Sequence, residues 1–548
     1  MVPFGKQQEI LRDLSTSSAG ELSGSRWETV DENGVVVISN ESRSLRGKLD
    51  RMSVYSRAFK KPSVKRLPGC SVPVSPSRLT SREKTAHKTM HENTPALLAA
   101  TQRHAAEWFS ALSGRRVRAT LTTDELREQL GGPLPIEGTN PESLTDILAA
   151  AGTQGTVATA GPRYFGFVIG GSLPAALAAD WLVSAWDQNS AVYVMSPLVS
   201  VIEQITGSWL RELAGLPPTM SFGFVTGCQM ANFTSLAAAR HRVLANAGWD
   251  VESNGLFDAP PIQVAVSEES HYTISMALRL LGLGANRVHK IPTDNQGRMR
   301  ADALATVLRT QQGPCIVCAQ AGNVNTGAFD PLIEIAALTK ERGAWLHVDG
   351  AFGLWAAASP AYAHLVRGIE QADSIATDAH KWLNVPYDCG IVFCADELAH
   401  RSAMSLAAAY IVATGTERDP HEFVPEESRR ARAVPVYAAL RSLGRQGLAE
   451  MVERHCRQAR RFADALSAAG HEVLNEVVLN QVLVSFGTPE QTKRTIAAIQ
   501  AEGTCWCGGT LWQNQTAMRI SVSNWSTTDA DVDQSIAAIL RAAEQTKS

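Results

Sequence analysis

Apolar residues in the middle of the chain fall into short unbroken runs separated by longer stretches of helical spacing. The runs at 262–266, 315–319, 345–348 and 390–393 carry almost no polar alternation. Runs of that length and character predict strands buried on both faces. Alternation of such strands with helices over about 197–393 predicts an α/β fold with a mainly parallel sheet covered by helices. Ligands in sheets of this kind bind beyond the carboxyl ends of the strands. Upstream, from residue 91 to about 160, the spacing is helical: Leu97, Leu98, Thr101, His104, Ala105 and Trp108 recur at helical intervals. Thr122-Thr123-Asp124-Glu125 has the form of a capped helix start. A polar stretch at 406–432, broken by Pro420 and Pro425, reads as a long loop of the kind that serves as a lid. Beyond it, helical patterns at 434–443, 491–501 and 529–545 enclose strand-like runs at 482–486 and 518–522, which predicts a small α/β C-terminal domain.

Residues 1–90 show little periodic apolar pattern. They are rich in Ser, Lys and Arg, with Pro62, Pro68, Pro73 and Pro76 among them. Such a stretch buries too little apolar surface to offset the entropy of ordering and is expected to be disordered. The organisation expected is therefore an extension over 1–90, a helical segment over 91–170, a large domain over 171–432 and a small domain over 433–548.

The 548 residues are 45% hydrophobic, which is ample core-forming material. A net charge of −3 gives no reason to expect nucleic acid or an anionic membrane as partner. No apolar run is long enough to span a bilayer, and the first residues lack the apolar core of a signal peptide. Nine scattered cysteines, an odd number, argue against a disulfide framework and for a reducing, cytoplasmic location. Cys315 and Cys318 form a CxxC inside a strand-like run, where they read as core, and no metal site is expected.

The chemistry concentrates at predicted strand ends. His380-Lys381 lies between two segments that read as buried strands, 345–348 is followed by Asp349, and His271 precedes an amphipathic run. A lysine is seldom buried without a charge partner or a chemical task. Lysine, aspartate and histidine in this combination fit a pyridoxal phosphate site. The lysine bonds the aldehyde, the aspartate keeps the pyridine nitrogen protonated, and the histidine stacks on the ring. Burial is expected to lower the lysine's pKa toward the neutral amine it needs. Gly227-Cys228-Gln229 opens a helical run, where backbone N–H groups form an anion site suited to the phosphate. The glycine-rich stretch at 161–171 suits a loop lining a cavity.

Residues from about 92 to 545 resemble the group II pyridoxal-phosphate-dependent amino acid decarboxylases, which include aromatic-amino-acid, histidine and glutamate decarboxylases. The resemblance rests on the segments 226–232 and 321–330 and those around His271, Asp349 and His380-Lys381-Trp382, in family order. It implies the aspartate aminotransferase fold (fold type I). It also implies a homodimer in which the N-terminal helical piece and 186–197 complete the neighbouring subunit's site. Lys381, Asp349 and His271 would be catalytic. Cys228, Gln229 and His380 would meet the phosphate, with Asn323, Ala351 and Asp378 as further cofactor contacts. Phe167, Val168 and Ile169 would form an apolar pocket wall, and Arg519 would hold a carboxylate. Such relatives use a tyrosine on the mobile loop to return a proton to Cα, but 417–425 contains none. His421 inside the loop and Tyr410 nearer its root are the candidates left. The activity implied is decarboxylation of an aromatic or large apolar L-amino acid to the amine. The alternatives are aldehyde-forming oxidative decarboxylation, transamination, carbon–carbon cleavage, or a protein that binds the cofactor without catalysis.

Overall fold

The computed structural model of the chain describes residues 27–30, 36–39, 81–405 and 417–547, with side chains from residue 93 onward. Contacts divide it into two units, residues 1–88 and residues 89–548. In the first, β1 (Trp27–Val30) pairs with β2 (Val36–Ser39) as an antiparallel hairpin. Most of the stretch expected to be disordered otherwise lies outside the described residues, up to the start of α1 (Ser81–Ala111).

Helices α2 (Thr123–Leu130), α3 (Pro141–Gly155), α4 (Pro174–Trp186) and α5 (Pro197–Leu213) follow. The start of α2 is the reciprocal cap its sequence predicts. The Thr122 side chain accepts from Glu125 N, and the Glu125 carboxylate accepts from Thr122 N at 2.7 Å. α3, α4 and α5 each begin on proline, whose missing N–H is no loss in a first turn.

The large sheet holds β3 (Ser221–Val225), β4 (Gln263–Ser267), β5 (Val288–Ile291), β6 (Cys315–Gln320), β7 (Trp345–Asp349), β8 (Ser374–Asp378) and β9 (Gly390–Cys394) in the order β3-β9-β8-β7-β6-β4-β5. Only β9 runs against its neighbours; the other pairs are parallel. β3, β6, β7, β8 and β9 are buried along their whole length, which is why their sequences lack alternation. The covering helices include α6 (Cys228–Asn246), α7 (Tyr272–Leu280), α8 (Ala301–Thr310), α9 (Leu332–Arg342) and α10 (Glu397–Met404). α6 touches β7, β8 and β9 together. Its run Ala237-Ala238-Ala239 is fully buried and lets the helix come close to the strands.

The C-terminal part begins with α11 (Ala433–Ala468), kinked at Gly444, where φ is 60°. After it come β10 (Glu472–Val473), β11 (Gln481–Ser485), α12 (Pro489–Glu502), β12 (Gly508–Trp512), β13 (Gln515–Ser521) and α13 (Asp529–Gln545). The four strands form an antiparallel sheet in the order β10-β11-β13-β12. α11 serves two cores. Val436, Leu448, Met451 and Cys456 belong to the core of the large sheet, while Ala459, Phe462 and Leu466 pack with Val482, Ile520 and Ile539. No helix among the described residues is long and apolar enough to cross a membrane.

Candidate active site

β3 ends at Val225, and the chain turns through Gly227 into α6, whose first residue is Cys228. β7 and β8, adjacent in the sheet, end at Asp349 and Asp378. β9 starts at Gly390, opposite Val225 on one side and Asp378 on the other. Small residues are required here. A Cβ on Gly390 would lie 2.3 Å from the Gly227 carbonyl carbon, and one on Gly227 would lie 3.2 Å from His380 Cε1.

Asp378 is the hub of the site. Its Oδ1 accepts from Cys228 N at 2.6 Å, at the start of α6 where backbone donors seek an anion. The same oxygen is 3.3 Å from His380 Nε2, and Oδ2 is 3.0 Å from Lys381 Nζ. His380 Nδ1 accepts from Cys389 N at 3.1 Å, so its N–H sits on Nε2, on the side of Asp378. Burial favours the neutral form of Lys381, but Asp378, helped by Asp349, outweighs it and pushes the amine up to about 12. This reverses the expectation of a lowered value: a carboxylate in contact stabilises the ammonium more than desolvation penalises it.

Asp349 is buried, and three donors fix its carboxylate. Oδ2 accepts from Asn232 Nδ2 at 3.2 Å; Oδ1 accepts from Ala351 N at 3.1 Å and from the Cys228 thiol at 3.4 Å. Burial, with Asp349 and Asp378 adding to it, holds that thiol's pKa far above its usual value, so it keeps its proton. His271 precedes α7, with Nδ1 2.9 Å from Thr273 Oγ1. Burial lowers its pKa against the pull of Asp349, and Lys381 and Arg519 lower it further, which leaves a neutral imidazole. Arg519, on β13, has Asn325 Oδ1 at 3.5 Å and no carboxylate partner among the described residues, and burial lowers it to about 10.

The glycine-rich segment 161–171 passes beside the lysine, since a Cβ on Gly170 would lie 2.0 Å from the Lys381 carbonyl oxygen. Tyr164, Trp506 and Phe167 stack in series, with centroids 4.9 and 5.4 Å apart. Phe167 and Val168 both adopt left-handed backbone, at φ 55° and 58°. For side chains of this size that costs about 1–3 kcal/mol each, and such strain concentrates at functional sites. Phe167 is 60% exposed and faces outward, whereas Val168 is wholly buried in the main core. Of the three residues expected in an apolar wall, Phe167 is exposed, Ile169 half-buried and Val168 part of the core.

Several expected residues stand elsewhere. Asn323 spends its carboxamide on its own loop, with Oδ1 accepting from Asn325 N and Thr326 N and Nδ2 reaching Glu269 O. Gln229, by contrast, stays at the helix start beside Cys228, half-buried in the first turn of α6. His421 lies in a short turn, Pro420–Phe423, buried with its backbone on Ala191 and its ring 3.4 Å from Glu427. Tyr410 lies outside the described residues. The site also holds residues not anticipated. Tyr387 packs on His380 with ring centroids 4.4 Å apart and is within electrostatic reach of Lys381. Asn232 follows Cys228 by four residues, one helical turn, so the shared face was readable from spacing. The donor set suits pyridoxal phosphate: an amine, an oriented carboxylate at one end, a neutral imidazole, and a helix start kept open by two glycines.

The model of the pyridoxal-dependent decarboxylase conserved domain matches residues 134–488. An aromatic-L-amino-acid decarboxylase from Bacillus atrophaeus is 27% identical over 452 residues, 79% of this chain and 92% of that protein. Among solved structures, Oryza sativa TDC with PLP and tryptamine superposes with a TM-score of 0.78 at 20% identity, covering 83% of this chain and 99% of that one. Rhodiola rosea 4-hydroxyphenylacetaldehyde synthase superposes at 0.73 and 22% identity, covering 84% and 98%.

Proposed function

Because the chain belongs to the pyridoxal-dependent decarboxylase family, we propose that it removes the carboxylate of an aromatic or large apolar L-amino acid as carbon dioxide and releases the amine. It is a pyridoxal-phosphate-dependent carboxy-lyase of fold type I. The observation that carries the reading is the Lys381 amine, paired with Asp378 at 3.0 Å between Asp349 and His271.

In this reading Lys381 would be the amine that holds the cofactor through its aldehyde, and Asp349 would face the ring nitrogen. Cys228 N, Gln229 and His380 would hold the phosphate at the start of α6. When bound, pyridoxal phosphate supplies the electron sink for the pair left by carbon dioxide. His271, neutral, would cover the ring without adding charge, and Arg519, which has no carboxylate partner among the described residues, would receive the substrate's. Phe167 and Trp506 offer a flat apolar side chain its contact surface. They offer no partner to a second carboxylate, whose desolvation would then be costly. Similarity to the Bacillus aromatic-L-amino-acid decarboxylase supports the same substrate class. Proton return to Cα falls to Tyr410, His421 or Tyr387.

The working unit proposed is a homodimer. Trp181, Leu182, Val194, Met195, Leu198 and Val201 leave an apolar surface exposed along α4, 186–197 and α5, next to the segment expected to complete the neighbouring site. The eight cysteines among the described residues are all unpaired, which accords with the cytoplasm.

The test is incubation of the purified holoenzyme with the common L-amino acids singly, following carbon dioxide, amine and carbonyl products. An aromatic substrate with the highest kcat/KM is expected, and glutamate in that place would overturn the assignment. A second reading, aldehyde release, is favoured by the absence of tyrosine from 417–425 and by the likeness to the Rhodiola synthase. Aldehyde with oxygen uptake in place of amine would select it.

A further inference from the structure

A continuous line of hydrogen bonds runs from the strand interior to both sides of the lysine site. Trp345 Nε1 donates to Ser374 Oγ at 2.9 Å, and that hydroxyl lies 3.1 Å from His347 Nδ1. His347 Nε2 is 2.9 Å from Asn232 Oδ1. Asn232 Nδ2 then divides between Asp349 Oδ2 at 3.2 Å and Thr273 Oγ1 at 3.3 Å. Thr273 Oγ1 in turn is 2.9 Å from His271 Nδ1. Ser374, His347 and Asn232 have no solvent exposure.

Donor counting fixes the direction of each bond. An ionised carboxylate only accepts, so Asn232 turns Nδ2 to Asp349 and Oδ1 to His347 Nε2, which must carry the ring's N–H; Nδ1 then accepts from the Ser374 hydroxyl, which itself accepts from Trp345. Burial lowers the His347 pKa to about 4 despite Asp349 nearby, so the ring is neutral and has one N–H. The opposite turn of the Asn232 amide would set a carbonyl oxygen against a carboxylate. Thr273 accepts from Asn232 and gives its hydroxyl proton to His271 Nδ1, which leaves the single N–H of His271 on Nε2.

We propose that Asn232, held by His347, is the positioning residue that orients Asp349 and, through Thr273, fixes the tautomer of His271, so that one buried amide sets both groups flanking the cofactor. The proposal rests on the cofactor roles given above to Asp349 and His271. None of the three residues touches the reacting atoms. Their effect passes through the carboxylate and the imidazole, as partners one layer removed from a site commonly act. Buried chains of this kind are sensitive to any member left unpaired.

The test uses Asn232→Leu, His347→Leu, His347→Gln and Thr273→Val, purified and stripped of cofactor. Three quantities are read: melting temperature of the apoprotein, affinity for pyridoxal phosphate by titration, and the pH response of the bound cofactor's visible band. Asn232→Leu and His347→Leu are expected to weaken cofactor affinity by roughly tenfold or more and to make the band titrate where the wild type does not. His347→Gln keeps an acceptor for Ser374 and a donor for Asn232, and is expected to restore affinity to within about threefold. Thr273→Val cuts only the arm to His271. It should leave affinity within about threefold but lower kcat by roughly tenfold. Should the leucine variants fail to fold, His347→Gln and Thr273→Val still decide the matter. The proposal is overturned if folded leucine variants bind with wild-type affinity and spectrum, if His347→Gln is as impaired as His347→Leu, or if Thr273→Val weakens cofactor binding as much as Asn232→Leu. A wild-type protein that takes up no pyridoxal phosphate would instead refute the proposed function.

Discussion

Lys381 and Asp378 face each other as an ion pair, yet the lysine acts as a nucleophile only after losing its proton. A carboxylate in contact raises the amine's pKa, so removing it extends the neutral amine to lower pH. In Asp378→Asn the pH midpoint for capture of pyridoxal phosphate by the apoprotein, followed by absorbance, should move down by about one unit or more. The proton returned to Cα poses a second question at this scale. Tyr410→Phe, His421→Phe and Tyr387→Phe should be compared for carbon dioxide, amine and carbonyl product. The variant lacking the true donor will keep carbon dioxide release but shift product from amine to carbonyl, by several-fold on the scale of a lost general acid. His421 enters that comparison with its ring turned to Glu427, whereas Tyr387 enters it from the face of His380. Lys381, Asp349 and His271 were legible because each follows a recognisable strand or precedes a helix in a fixed order. His347 was not, because its partner Asn232 lies 115 residues away and no local pattern announces the contact. Val168 misled for a related reason: adjacent residues in left-handed backbone need not face the same way, and only Phe167 faces out.

Among elements, the chain just beyond 406–416 is pinned to α5 by charge. Glu203, buried, accepts from Arg418 Nη1 and Arg429 Nη1, each at 2.9 Å. The Arg418 guanidinium is also sandwiched between the rings of Phe222 and Phe423, 4.5 and 4.2 Å from their centroids. Glu203→Leu would leave two buried cations without their counter-charge. The expected loss is about 3–5 kcal/mol, read as a lower urea midpoint. Elements with their own local signal were readable: the Thr122 cap, the mainly apolar, non-alternating strands β6, β7 and β9, and α13. β12 was not, because Gly508-Gly509 opens it and its residues alternate in exposure at the rim of the small sheet. β13 starts three residues before the expected run at 518, since Gln515 and Thr516 pair with Trp512 and Leu511 through the backbone, whatever their side chains.

For the molecule as a whole, buried neutral histidines set the response to acid. Burial lowers His347 to about 4 and His400 and His455 to about 3, from an ordinary value of 6.5. Above pH 6.5 folded and unfolded chains are alike in leaving these rings neutral. Below it the unfolded chain takes up protons that the native one refuses, so stability falls with pH down to about 4. Each group contributes on the order of 1.4 kcal/mol per pH unit within that window. The melting temperature should therefore drop steeply from pH 6.5 to 4, and less steeply in His400→Phe. Deletion of residues 1–80, which precede α1, should leave sedimentation as a dimer and kcat/KM unchanged within about twofold, since that stretch lacks core-forming pattern. The apolar pattern predicted the helices and strands beyond 433 but gave no hint that α11 belongs to two cores. Its changeover falls between Cys456 and Ala459, well past the kink at Gly444, where the helix is unbroken. A rod set in both masonries acts as a tie bar. The rod braces the two halves against swinging apart like a clam shell.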